Sequence, residues 1–505
     1  MALTEHSERA TRIEKGLRIL VIAASVFVML LFVITALERM HYLYELEQLE
    51  GYVFLTALRV FHGQALYPRP SLAFIPYMYP PVYYYVCATA GHVVGMSIAT
   101  LRAVSSLSTL GCFAMIYELV RREIKQHLPA IAAAGLYAGC YALCAGWFDL
   151  GRLDSFFILT VLLAMYATRW WHPAIAAALW TLAFQTKQSI LPAAFVMLCF
   201  DFGRHRRRLQ RTLTGVLVLA LGAVGTVLWL NHATHGWYSF YVFTVPAANA
   251  DLLLRTAALF LPGDLLRPLA LALIVIVAAA LFTRPAWHSH AARFYLAACF
   301  LVPLFWWIRT HSGSTVNALM PIYALVAVLF GIALARLLSA AHSLPQPAAH
   351  AGVLLVLLAA LAQLAAGIYN PGAFRPNPQT GTSMAAVVAQ VRSIPGNAYI
   401  TQHPYYAYLA GKLPEADITS LRDAMRPGGA VSGELHAELQ SAFATHSYAA
   451  VVLDNPEDLP AMDAVMGGAD WRSGFPVQHT IPNVWTAMHP DWILLPCATA
   501  VDCKP

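Results

Sequence analysis

LRILVIAASVFVMLLFVITAL, residues 17–37, carries one charge, Arg18, at its leading edge. Wound as a helix at about 1.5 Å per residue, such a stretch covers roughly the 30 Å of a bilayer's hydrocarbon core. It is too long for the apolar core of a signal peptide, and no small-residue cleavage site follows it, so it is expected to stay as a signal anchor. Arg9, Arg12, Lys15 and Arg18 come before or open it. That excess of positive charge places the N-terminus in the cytoplasm.

The rest of the chain repeats this pattern. Of 505 residues, 59% are hydrophobic and 11% charged, against about 25% charged in a soluble chain. Basic residues gather between apolar blocks, most densely in Arg204-His205-Arg206-Arg207-Arg208 and Arg211. The net charge of +6 therefore sets topology and does not call for nucleic acid. Alternating the blocks gives about eleven spans with a cytoplasmic N-terminus and an external C-terminus. Residues 38–102 form a long first external loop. Within it, Val82 to Ile98 is expected to lie in the interface, because a crossing there would turn Arg121, Arg122 and Lys125 outward.

Composition changes at Asn370-Pro371-Gly372. Residues 1–369 are read as the transmembrane part. Residues 370–505 are read as a small external α/β domain, with helices at 384–392 and 433–444 and strands at 398–401 and 449–453. An oxidising compartment would allow a disulfide between Cys497 and Cys503. The other six of the eight cysteines sit in or beside apolar blocks as small hydrophobes, and no Cys/His spacing suggests zinc. No internal repeat is visible, and the middles of the spans are nearly free of ionisable residues. Both features argue against an ion-coupled transporter.

The polar residues that could do chemistry fall on the external side. Glu38, Glu45, Glu47 and Glu50 follow the first span; Arg152 and Asp154 follow the third. Lys187 follows the fifth, and Arg309 and His311 follow the ninth. Basic groups at a lipid boundary suit a lipid phosphate, and a carboxylate suits proton removal from an attacking hydroxyl. Blander readings stand beside these. Asp154 and Arg152 could form a structural pair, Lys187 could snorkel, and Tyr83-Tyr84-Tyr85 could be an aromatic belt.

Three segments carry a resemblance. Glu50 to Tyr67, EGYVFLTALRVFHGQALY, followed by Tyr79-Pro80-Pro81, resembles the first external loop of GT-C-fold glycosyltransferases. Gly151-Arg152-Leu153-Asp154 resembles that group's second external motif, and Phe184-Gln185-Thr186-Lys187-Gln188 its Thr-Lys motif. The group includes bacterial lipid A aminoarabinose transferases and protein O-mannosyltransferases. The resemblance implies an all-α polytopic fold and an inverting enzyme of the inner membrane. That enzyme moves a sugar from a polyprenyl-phosphate donor to a lipid, glycan or protein hydroxyl. It places the acid role on Glu50, helped by Glu47 and Asp154. Donor phosphate would fall to Lys187, Arg309, Arg152 and His311, and the sugar or acceptor would lie along Tyr79 and Tyr83. One position departs: the Asp that precedes the acid in that group is Leu49 here. Some members use a divalent metal, but no ligand cluster in this sequence calls for one. A lipid or solute flippase and a non-catalytic envelope assembly protein are the alternatives.

Overall fold

The computed structural model describes residues 2–202, 206–249, 251–283, 288–311, 313–445 and 447–454, together with the strand backbones 471–473 and 492–496. Arg204, His205 and the expected Cys497–Cys503 disulfide lie outside these residues.

A long helix α1 (Ala2–Met40) opens the chain. Two short helices follow, α2 (Glu50–Phe61) and α3 (Val82–Val94). Then come α4 (Ile98–Ile124), α5 (His127–Gly139), α6 (Asp154–Trp170), α7 (Pro173–Phe184), α8 (Leu191–Cys199) and α9 (Arg206–Ala233). Short pieces α10 (Trp237–Ser239), α11 (Val245–Ala248) and α12 (Leu254–Leu259) lead into α13 (Arg267–Phe282). The pair α14 (His290–Ala298) and α15 (Leu301–Arg309) precedes α16 (Met320–His342) and α17 (Ala348–Ala366).

Seven of the described helical stretches are long and apolar enough to cross a membrane, among them 11–40, 98–124, 206–233 and 316–342. The blocks expected as the third to sixth spans are shorter helices of 9 to 17 residues. Helix α3, with 13 residues, is too short to cross, and it packs on α2, with Phe61 stacked on His92 at 4.2 Å. Helix α16 is the axis of the bundle, 94% buried over its most apolar window, whereas 17% of the corresponding window of α9 is buried. Leu213, Leu217, Leu221, Leu228 and Trp229 on α9 are exposed, the composition of a lipid-facing surface.

Apolar burial cannot drive helix association inside a lipid phase, so close backbone approach matters there. Small residues provide it. A Cβ at Gly135 on α5 would sit 2.6 Å from the Ser25 Cα of α1, and Gly139 meets Gly367, just past α17, with its Cβ position 3.1 Å from the Gly367 Cα. Helix α13 is broken at Leu269 (φ −118°, ψ 21°). There Gln363 of α17 takes over a missing rung: its Nε2 donates to the Pro268 carbonyl and its Oε1 accepts from the Ala272 amide, both at 3.0 Å. A side chain inserted into the helix ladder is a recognised cause of such a bend.

The polar C-terminal stretch adds α18 (Pro378–Ser393), β1 (Ala398–Ile400), α19 (Pro404–Leu409), α20 (Ile418–Met425), α21 (Gly429–Ala444) and β2 (Ala450–Leu453). Strands β3 (Trp471–Ser473) and β4 (Trp492–Pro496) complete a sheet ordered β1-β2-β4-β3. Strands β1 and β2 are parallel, joined through the intervening helices, and the other pairs are antiparallel. This stretch lies at the end of the bundle that also holds the loops 41–97, 140–153 and 185–190, packing α19 on α2 and setting Arg375 against Glu38.

The α1–α5 contact predicts that Gly135→Val forces the two helices apart. We expect a loss of roughly 1–3 kcal/mol, typical of overpacking, measured as a lower thermal unfolding midpoint of the detergent-solubilised protein.

Candidate active site

Three glutamates within six residues, Glu45, Glu47 and Glu50, are all buried, and each binds a different part of the chain. Glu50 opens α2 and faces Arg102, one turn into α4. The Arg102 Nε donates to Oε1 at 2.8 Å and a terminal nitrogen donates to Oε2 at 2.7 Å. Backbone amides complete the set, Gly151 to Oε1 at 2.7 Å and Leu46 to Oε2 at 2.8 Å. The remaining Arg102 donors reach the carbonyls of Arg39 (3.1 Å), Tyr42 and Tyr44 (2.7 Å). All five guanidinium N–H groups are thereby used. Burial alone would push the Glu50 carboxyl up, but Arg102 and the two amides outweigh it and hold it below the ordinary carboxylate range. An anion so fully bonded is a poor acceptor for another proton.

Glu47 differs. It accepts one bond from an Arg152 terminal nitrogen at 2.7 Å, and the Leu49 amide also points at it. Burial pushes its carboxyl above the ordinary range, and Arg152 draws it only partly back. Arg152 itself is held by a short loop: Ser105 of α4 donates to its carbonyl at 2.9 Å, and its guanidinium lies 5.0 Å from the Trp147 ring.

Asp154 is the first residue of α6, where helix geometry favours negative charge. Its Oδ1 accepts from Lys187 Nζ at 3.0 Å and from Asn317 Nδ2 at 3.1 Å. Lys187 stands there because α7 ends at Phe184, and the turn after it is braced on both sides. Gln185 accepts from the Tyr238 hydroxyl at 3.1 Å, and Gln188 donates to the Met78 and Val242 carbonyls at 2.9 and 3.0 Å. Tyr79, half-buried, interacts with both Arg152 and Lys187. Around this group several buried polar atoms have no protein partner: Arg152 Nε, Asp154 Oδ2 and the hydroxyls of Tyr77 and Tyr84. Buried polar atoms normally find partners, so Lys187, Arg152, Glu47 and Asp154, with the two tyrosine hydroxyls, make a candidate polar ligand site.

The expected site residues therefore separate. Glu47, Arg152, Asp154, Lys187 and Tyr79 come together. Glu50 adjoins them but is saturated. Tyr83 is fully buried, with its hydroxyl 3.1 Å from that of Ser105. Arg309 lies 3.7 Å from Asp264, which lines a cavity of about 400 Å³ with Arg267, Tyr323 and Gln363. The His311 side chain packs back on Trp307, with Nδ1 2.7 Å from the Trp307 carbonyl oxygen. Sequence reasoning missed Arg102, Asn317, Tyr77 and Tyr84 as parts of this region. It also missed the buried pair Arg39–Asp149 at 2.9 Å, which ties the end of α1 to the loop preceding Gly151. A lone arginine set among apolar residues, as Arg102 is between Leu101 and Ala103, is the signal that could have found one of them.

Crystal structures of ArnT from Cupriavidus metallidurans superpose on this chain nearly end to end. The one bound to undecaprenyl phosphate aligns with a TM-score of 0.57 at 14% identity, covering 94% of this chain and 99% of that one. The apo structure gives 0.56 at 15% identity, covering 96% and 100%. The chain has the GT-C fold. The sequence family described as dolichyl-phosphate-mannose-protein mannosyltransferase matches residues 78–230, the part of this GT-C chain that carries Arg102, Arg152, Asp154 and Lys187. No curated protein matches it by sequence. With this fold and its apolar helices, it is a multi-pass membrane protein. Among the described residues, no group of His, Cys, Asp and Glu side chains is arranged to hold a metal ion.

The five-donor Arg102 predicts that lysine cannot replace it, because an ammonium carries three donors and no fork. Arg102→Lys should cost about 1–3 kcal/mol for each buried acceptor left without a donor. The exposed pair Arg69–Glu434 supplies the comparison: Arg69→Lys should leave the unfolding midpoint unchanged. Thermal unfolding of both variants in detergent checks this.

Proposed function

We propose that the chain is an inverting glycosyltransferase that moves a sugar from a polyprenyl-phosphate donor to an acceptor hydroxyl at the external face of the cytoplasmic membrane. The observation that carries this reading is the Glu47–Arg152–Asp154–Lys187 group, with its unpartnered polar atoms, at one end of a GT-C bundle. An ArnT of that fold is described as bound to undecaprenyl phosphate, which supports a donor of this class.

The roles follow from the bonding. Lys187, aimed by Asp154, and Arg152 receive the lipid phosphate. Tyr77 and Tyr84 offer hydroxyls to the same ligand. Asp154 keeps one oxygen for the sugar. The acceptor oxygen attacks the anomeric carbon from the side opposite the phosphate. As the new carbon–oxygen bond forms, the bond to the phosphate oxygen breaks, and the lipid phosphate leaves with the electron pair. Lys187 and Arg152 stabilise the charge that develops there. The acceptor's proton goes to a carboxylate. Expectation gave this role to Glu50, but its four donors move it to Glu47, which is less bonded and whose raised affinity for protons suits a base. Glu47 precedes Leu49 by two residues, so an acid is present near the position where the resembling group has its Asp.

Residues 370–505, the α/β part, are proposed to be external, with the N-terminus cytoplasmic. The C-terminal stretch beside the site would then meet the acceptor.

In this reading Glu47→Gln lowers kcat at least about 100-fold, the usual scale for a lost general base, with folding intact. Transfer by the unaltered chain should rise with pH through the weakly acidic range. The inflection should lie above the ordinary Glu value of about 4.3, because Glu47 must be deprotonated to act and its affinity for protons is raised. This limb should vanish in the variant. Mass spectrometry of co-purifying lipids should find a polyprenyl-phosphate sugar enriched in Glu47→Gln. A fully active Glu47→Gln would refute the assignment. Lys187→Ala should instead raise KM for the donor, read from initial rates.

A further inference from the structure

Glu45 takes no part in the group described above, although it belongs to the same short segment. It faces the C-terminal stretch. The His403 Nδ1 lies 2.5 Å from Glu45 Oε2, and Nε2 lies 2.7 Å from Asp454 Oδ2. All three side chains are buried. Burial pushes the imidazole down, but Asp454 and Glu45 outweigh it and hold it well above its ordinary value. Both ring nitrogens thus face carboxylate oxygens, the arrangement that suits an imidazolium donating from each side. Tyr406 stacks on it at 5.3 Å, and Asp417 faces it from the start of α20.

Neighbouring residues repeat the contact. Gln48 donates to Gln402, and the Tyr405 hydroxyl donates to the Leu43 carbonyl at 3.1 Å. Thus Gln402, His403 and Tyr405 hold Gln48, Glu45 and Leu43. The fit leaves no slack: a Cβ on Gly51 would stand 1.9 Å from Glu45 Oε1 and 2.5 Å from the Tyr405 Cβ. Glu47 lies between Glu45 and Gln48. The chain on either side of it is held, at the Tyr44 carbonyl by Arg102 and at the Gln48 side chain by Gln402 of the C-terminal stretch.

We infer that His403 is a positioning residue: by clamping Glu45 against Asp454, it fixes the 43–48 segment and so aims the Glu47 carboxylate. The C-terminal stretch is then a working half of the site, in addition to any surface it offers an acceptor. This rests on the role given to Glu47 above. His403 touches neither donor nor acceptor. Its loss should spare binding and reduce turnover.

Two measurements on the full-length protein in detergent test the inference, and they fail separately from the transferase reading. In hydrogen exchange read by mass spectrometry, His403→Phe should speed exchange at least tenfold in peptides covering 43–50, leaving the spans unchanged. In the transfer assay, it should lower kcat at least tenfold with KM for the polyprenyl-phosphate sugar within twofold. Asp454→Asn, which keeps the shape but removes a charge, should give a smaller change of the same kind. Gly51→Ala, whose methyl group would displace the Glu45 carboxylate while every polar side chain is kept, should reproduce His403→Phe. Unchanged exchange at 43–50 overturns the clamp. A parallel loss of kcat and donor binding, or a turnover within twofold of the original, overturns the positioning role. Faster exchange at 43–50 in a protein whose unaltered form transfers no sugar upholds the clamp and removes the transferase reading instead.

Discussion

One guanidinium organises this end of the molecule. Arg102 sits where α4 begins and spends every donor it has on the chain between residues 39 and 50. That stretch has no helix or strand to satisfy its backbone, and buried carbonyls without partners are costly. Arg102 supplies partners for three of them and fixes Glu50 as well. The position of the segment is thus set by the helix bundle itself. Gly151 joins through its amide, so the loop carrying Arg152 and Asp154 is registered against the same carboxylate. Both halves of the polar group are measured from one ion pair.

Three acids in one short segment would repel one another if left together. The fold separates them by giving each its own counter-charge: His403 for Glu45, Arg152 for Glu47 and Arg102 for Glu50. These partners come from the C-terminal stretch, an interhelical loop and a bundle helix. The bonding is graded, and the grading separates the roles. On the mechanism proposed above, the acid with four donors is a structural anchor, the acid held by His403 is a tether, and the acid with a looser hold is left for chemistry.

The membrane architecture was legible because its cause is local. Apolar blocks the length of a bilayer and basic residues between them are written directly in the sequence, and so were the motif segments around Arg152 and Lys187. The blocks for α7 and α8 were visible as two short stretches flanking Lys187, and the structure gives them 12 and 9 residues. Allocation among the three glutamates was not legible. Nothing near Glu50 in the chain says that Arg102, 52 residues on, will saturate it. Equally, nothing near Glu45 points to His403, 358 residues away. The partners of Arg309 and His311 were not legible either: the side of a membrane fixes the depth of a residue, whereas its direction around the bundle depends on helix packing. Asp264 faces Arg309, and the Trp307 carbonyl faces His311.

The bend in α13 has a consequence for which sequences this fold can accept. Gln363 occupies the gap left by a missing helix bond by acting as donor and acceptor at once. Glutamate has the reach but, when ionised, offers no hydrogen to Pro268. Asparagine has both groups but is one methylene short. Leucine fills the space and leaves an amide and a carbonyl stranded in an apolar interior. Position 363 is therefore close to a single-letter position, imposed from across a helix interface by the gap between the 268 carbonyl and the 272 amide. A chain that closes that gap is free to straighten α13 and release the glutamine.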